Sequence, residues 1–177
     1  MLAAIIALDA PRHVEYGQIY VLSPGCEPVV PEEAFAGQRN GLCGAGVAGG
    51  LFLATGLHTG YVHMRSEVHA SEPPLQDEWE EIVEVSCSFA NTPVVLEDWG
   101  GGTKCELPLA EGQYRVRYCA KRFGQAPEGN GEDGEELIER YALFFWPAPS
   151  RPDQVLKQTS EEAAYWNNGA WIPKMRR

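Results

Sequence analysis

Apolar and polar residues alternate with a period of two along much of the chain. In residues 61–70, Tyr61, His63, Arg65, Glu67 and His69 fall on one face, and Val62, Met64, Val68 and Ala70 on the other. A half-buried antiparallel strand has this pattern. Residues 79–89 repeat it, with Trp79, Val83, Val85, Cys87 and Phe89 inward, Glu81 near the rim, and Glu80, Glu84, Ser86 and Ser88 outward. Residues 113–121 place Tyr114, Val116, Tyr118 and Ala120 inward and Arg115, Arg117 and Lys121 outward. Residues 14–22 read as a strand with Val14, Tyr16, Tyr20 and Leu22 on one face. Apolar runs at 2–8, 47–55 and 137–146 predict buried strands, and short strands are expected at 94–99 and 103–109.

The connections are punctuated by Gly and Pro. Residues 56–60 carry Gly at both ends and predict a hairpin. Pro31 opens a helical turn over 31–35. Residues 71–78 form an acidic, Pro-containing linker, and 123–136, rich in Gly and acids, a mobile loop. Pro147, Pro149 and Pro152 are expected to end sheet structure. Thr159 and Glu162 match a capping box, with Thr159 as the cap of a short helix that Gly169 stops. About eight strands at spacings of roughly 8–12 residues predict an all-β fold, a two-layer, mainly antiparallel β-sandwich with a short C-terminal helix. Residues 1–146 would form the sandwich domain, with 147–177 a Pro-rich segment and helix packing on it or extending from it.

Composition narrows the function classes. The chain has 177 residues, 44% of them hydrophobic, enough for a full core and incompatible with a wholly disordered chain. The segment 1–13 lacks a basic leader region, and its apolar stretch ends at Asp9, so neither a signal peptide nor a membrane span is expected. Five cysteines without paired spacing suit reduced thiols in the cytoplasm. Fourteen Lys and Arg face 25 Asp and Glu, for a net charge of −11. That field repels nucleic acid and anionic membranes and favours a basic protein partner. The acids cluster in two blocks: Glu72, Asp77, Glu78, Glu80, Glu81 and Glu84, then Glu128, Glu132, Asp133, Glu135, Glu136 and Glu139.

Motifs for chemistry are weak. Residues 44–49 spell GxGxxG, but without a strand before them and a long helix after them they read as close packing. His63 and His69 stand six residues apart on one strand face, roughly 20 Å, too far to share a metal ion. No GxSxG elbow is present, and Cys87 and Cys119 lie in strands. No cofactor is expected.

Several segments are similar to the competence-protein-J family, bacterial inhibitors of the DNA-entry nuclease. They are the aromatic strand at 16–22, the segments 52–55 and 61–65, the Trp-and-acid lead at 79–85, and 107–117, which resembles an LPxGxYxL turn and strand. The resemblance spans about residues 14–146. It implies a small cytoplasmic β-protein that binds and blocks a nuclease without catalysis, in the style of immunity proteins. The departures are the acidic insertion at 123–136 and everything after Trp146.

The expectation is therefore a non-enzymatic acidic protein that sequesters a basic partner. Glu72, Asp77, Glu78, Glu80 and Glu84 would supply steering and ion pairs, with Tyr61, His63 and Arg65 on a neighbouring surface. Three alternatives remain: a carbohydrate- or ligand-binding sandwich displaying Trp79, Trp99 or Trp146, a hydrolase pairing a His with a carboxylate in an open pocket, and a self-association module.

Overall fold

The computed structural model describes residues 3–169. Eleven strands form two sheets. The first holds β1 (Ile5–Val14), β5 (Gly60–Val68), β10 (Arg140–Pro147), β9 (Gly112–Lys121), β6 (Glu81–Phe89) and β11 (Gln154–Lys157), side by side in that order. The second holds β3 (Cys43–Gly44), β4 (Gly50–Ala54), β2 (Gln18–Leu22), β7 (Val94–Asp98) and β8 (Lys104–Leu107). All neighbours pair antiparallel except β10 and β5, which run parallel. Two short helices, α1 (Pro31–Ala34) and α2 (Glu161–Asn167), complete the fold with a 3-10 turn at Trp99–Gly101. The all-β sandwich read from the alternation is the fold observed.

Between the sheets lies one apolar layer. Val62 and Met64, Tyr141, Leu143 and Phe145, Val116 and Tyr118, and Val83 and Val85 meet Ile19, Val21, Leu51, Leu53 and Leu96 of the second sheet. The Tyr118 hydroxyl donates to the Ala54 carbonyl at 2.9 Å, so the phenol is satisfied where it crosses the layer. Two further clusters cover the outer faces. α1 seats Ala34 and Phe35 on Tyr20 and Phe52. On the first sheet, Trp79, Ile82, Cys119, Ala142, Phe144 and Trp146 form an outer cluster. Ala142 to Trp146 are therefore buried on both faces, as an unbroken apolar run requires.

Several expectations are corrected. Residues 56–60 do not close a hairpin: β4 and β5 lie in different sheets, and the connection crosses the sandwich. The first strand runs from Ile5 to Val14 at a sheet edge, with Ile5 and Ile6 exposed; Leu2 lies outside the described residues. Val14 closes β1, and Tyr16 sits in the turn before β2. Trp79 packs on the outer cluster and not in the central layer. The prolines after β10 do not end the sheet, because β11 pairs with β6 beyond them. The capping residue of α2 is Ser160, one residue after the expected position; its hydroxyl accepts from the Ala163 N–H at 3.1 Å. Thr159 instead donates to the Glu80 carbonyl at 2.6 Å.

The glycines of residues 44–49 serve close packing, as read. A Cβ on Gly46 would stand 2.2 Å from the Glu33 carbonyl oxygen, and one on Gly44 2.8 Å from the Ala34 Cβ, so α1 fits only against glycine.

Candidate functional site

The outer face of the first sheet carries two overpasses. Residues 71–79 cross it in front of β9, and residues 147–153 cross back toward β11. Both are pinned by charges that the alternation had placed in solvent. Glu84 on β6 faces Arg115 and Arg117 on β9, its cross-strand neighbours. Its carboxylate accepts from Arg117 Nε at 2.9 Å and Arg115 Nε at 3.2 Å, with all three side chains 3% exposed or less. Arg117 also donates to the Pro73 carbonyl, and Arg115 to the carbonyls of Arg151 and Pro152. The Arg117 guanidinium sits 5.1 Å over the Trp146 ring. Glu84 is thus a buried staple and is withdrawn from the exposed acids. Burial pulls the Arg115 pKa down despite the contact with Glu84.

Other acids of the two blocks are structural as well. Glu81, 1% exposed, accepts from the backbone N–H groups of Thr159 and Ser160, which ties the start of α2 to β6. Glu139, fully buried, accepts from the N–H groups of Leu57 and Gly124 and from the Tyr141 hydroxyl. Desolvation raises its pKa, and those hydrogen bonds oppose the rise. The loop at 123–136 is packed rather than free. Glu128 accepts from His58 and Thr59 N–H, and Asn130 bridges Tyr61 N–H, the Glu136 carbonyl and Ile138 N–H.

Two of the remaining exposed acids, Glu78 and Glu136, meet at one cleft. A cleft of about 580 Å³ opens on this face between the overpass and the loop. Gln76, Glu78 and Trp79 form one wall, and Glu136, Leu137 and Ile138 the other. Asp9, His63, Arg65, Glu67, Lys121, Arg122 and Arg140 complete the lining. Both acidic blocks therefore border one concavity, Glu78 from the first and Glu136 from the second. Asp77 and Glu72 stay exposed on the overpass, Glu72 within 3.3 Å of Arg117. Glu80 accepts from the Arg122 N–H at 2.8 Å.

A chain of contacts runs along one side of the cleft. His63 Nε2 lies 2.7 Å from Asp9, Asp9 lies 2.7 Å from Arg65, Arg65 lies 2.5 Å from Glu67, and Glu67 lies 2.7 Å from His69. The hydrogen bond to Glu67 is the main factor holding Arg65 firmly cationic. His63 and Arg65 line the same cleft as Glu78. Tyr61 does not line it; its ring packs edge-on against His13 at 5.0 Å. Sequence reading had Glu136 in the second acidic block but missed Asp9, Glu67, Lys121, Arg122 and Arg140 as site residues. Lys121 ends an alternating strand and Arg140 opens the next, so a charged sheet corner was the available signal. Of the three tryptophans proposed as a sugar platform, Trp79 and Trp146 are buried, and Trp99, 42% exposed, packs on Tyr16 at 4.7 Å.

The two-layer β-sandwich that carries this charged, overpass-walled cleft has known counterparts in fold. ComJ, inhibitor of the DNA degrading activity of NucA, from Bacillus subtilis, matches with a TM-score of 0.59 at 14% identity, over 83% of this chain and 100% of that one. Crocagin biosynthetic gene J matches with a TM-score of 0.56 at 15% identity, over 84% of this chain and 100% of that one. No family model and no curated protein matches the sequence. The distant resemblance to the competence-protein-J family therefore holds at the level of fold. Among the described residues no helix is long and apolar enough to cross a membrane.

Proposed function

We propose that the protein is a non-catalytic binder that sequesters a basic protein partner, a nuclease in the manner of ComJ and NucA. The observation that supports this reading is that one acid from each acidic block, Glu78 and Glu136, lines the same cleft of a ComJ-like sandwich. Glu78 on the overpass and Glu136 on the loop put a carboxylate on each of its two walls, and the exposed Asp77, Glu132, Asp133 and Glu135 belong to the same two segments. Such acids speed encounter with a positive surface and fix its register. His63 and Arg65 give the partner a polar floor beside them. A reducing cytoplasm suits the five unpaired thiols.

The test is affinity capture from the native host with two baits, the wild type and the triple variant Asp77→Lys, Glu78→Lys, Glu136→Lys. A basic protein held by the first bait, released by the second, and losing DNA-degrading activity when mixed with the wild type carries the proposal. The same captured set on both baits removes it.

A hydrolase is the second reading, because His63 and Asp9 stand in hydrogen-bond reach inside an open cleft. It ranks lower on chemistry. The lining offers no Ser, Thr, Cys or Tyr as nucleophile, and Asp9 is shared with Arg65. Turnover of bis-(p-nitrophenyl) phosphate that disappears with His63→Ala would reverse this order.

A further inference from the structure

We propose that the basic floor of the cleft is an oxyanion-binding subsite, which takes a phosphate or a carboxylate group between Lys121, Arg122 and Arg140. Arg140 stands directly opposite Lys121 across β9 and β10, and directly opposite His63 across β10 and β5. Three adjacent strands therefore place a cationic or protonatable side chain side by side, all lining one cleft. Like charges in direct register weaken a sheet. An anion bound between them reverses the sign of that interaction.

How this face treats its other cations sharpens the point. Arg65 has Asp9 and Glu67, Arg115, Arg117 and Arg151 have Glu84, and Lys157, on the edge strand, donates to the Asp77 carbonyl. Among the described residues, Lys121, Arg122 and Arg140 make no ion pair, although Glu78 and Glu136 line the same cleft; Arg122 Nε donates only to the neutral Gln125 Oε1, at 3.5 Å. The carboxylate adjoining Arg122, that of Glu80, is bonded to its backbone N–H and holds the residue in the left-handed region at φ 59°. A long side chain rarely adopts that conformation, and such strain concentrates at binding sites. Two guanidinium forks and an ammonium are suited to a compact oxyanion, which the forks grip in pairs and the ammonium meets as a point charge. Glu78 and Glu136 on the walls disfavour an extended polyanion, and the three cations between them suit a small anion or a single acidic group. The proposal rests on the cleft's geometry and not on the docking reading.

The test is an NMR titration of the 177-residue chain at fixed ionic strength, once with inorganic phosphate and once with acetate. Saturable shifts at the Lys121, Arg122 and Arg140 signals are expected, with affinity reduced by about fivefold or more in Arg140→Gln and in Lys121→Gln. Arg39→Gln, on an exposed residue elsewhere, should bind as the wild type does. Saturation by phosphate alone identifies a phosphate site, and saturation by both identifies a site open to a carboxylate. Linear shifts with both anions, or wild-type affinity in Arg140→Gln, overturn the proposal. The flanking acids are untouched in these variants, so the result stands apart from partner capture.

Discussion

Replacing Glu84 with Ala tests whether the outer face of the first sheet is held by buried charge. The carboxylate is 1% exposed and lies between two guanidinium groups at 2.9 and 3.2 Å. Its removal leaves Arg115 and Arg117 buried without their shared counter-charge. Breaking a buried pair from one side costs about 3–5 kcal/mol. Arg117 keeps Glu72 at the rim and both arginines keep carbonyl acceptors, so the loss here belongs near the lower end, about 3 kcal/mol. With a urea dependence of about 2 kcal/mol per molar, the unfolding midpoint falls by about 1.5 M. Equilibrium urea unfolding followed by tryptophan fluorescence measures this, with Glu78→Gln on the exposed wall as the control, expected within about 0.5 kcal/mol of wild type. Hydrogen exchange should quicken in residues 71–79 and 147–153, the two segments whose carbonyls the arginines hold. A Glu84→Ala midpoint equal to that of the control would refute the reasoning.

Three further outcomes follow from buried groups. Glu139→Gln puts an amide where a carboxylate accepts several donors, and should cost about 1–3 kcal/mol in thermal or urea unfolding. The same variant should flatten the pH profile of stability. The folded pKa of Glu139 is raised, so the native state binds the extra proton, and its contribution is full below the ordinary carboxyl range and is lost as pH rises through the folded value. A wild-type profile with no fall attributable to Glu139 over that window would contradict the assignment. Cys43, Cys87 and Cys119 are buried, and burial pushes the Cys119 thiol up to about 12. A thiol reagent should therefore modify no more than Cys26 and Cys105 in the native protein and all five after unfolding, as mass spectrometry would read.

The parts of the fold legible in the sequence are those that local alternation determines. Residues 61–70, 82–89 and 113–121 show which side chains face the central layer, because a period of two survives any change of strand order; Trp79, ahead of β6, escapes the pattern and packs outside. Which strands pair is not local. The link between β4 and β5 has a hairpin's glycines yet crosses between sheets, and β10 reaches β5 in parallel over an intervening run of the chain. The outward face misled for a related reason. Glu84, Arg115 and Arg117 look solvated one strand at a time. Only their pairing across β6 and β9, beneath the overpass at 71–79, makes them a buried triad. The apolar run through Ala142, Phe144 and Trp146 was the available warning that the outer face is covered. The site was legible in its charge and not in its shape. The acidic blocks were visible, but their meeting around Lys121, Arg122 and Arg140 depends on where the loop and the overpass come to rest.

The most direct measurement is the rate at which the captured basic partner associates with the wild type and with the Asp77→Lys, Glu78→Lys, Glu136→Lys variant, by stopped flow at low and at physiological salt. Electrostatic steering by the cleft's flanks predicts an association rate about tenfold or more lower in the variant at low salt, a gap that narrows as salt rises, and a dissociation rate changed far less. Equal association rates at low salt would contradict the account.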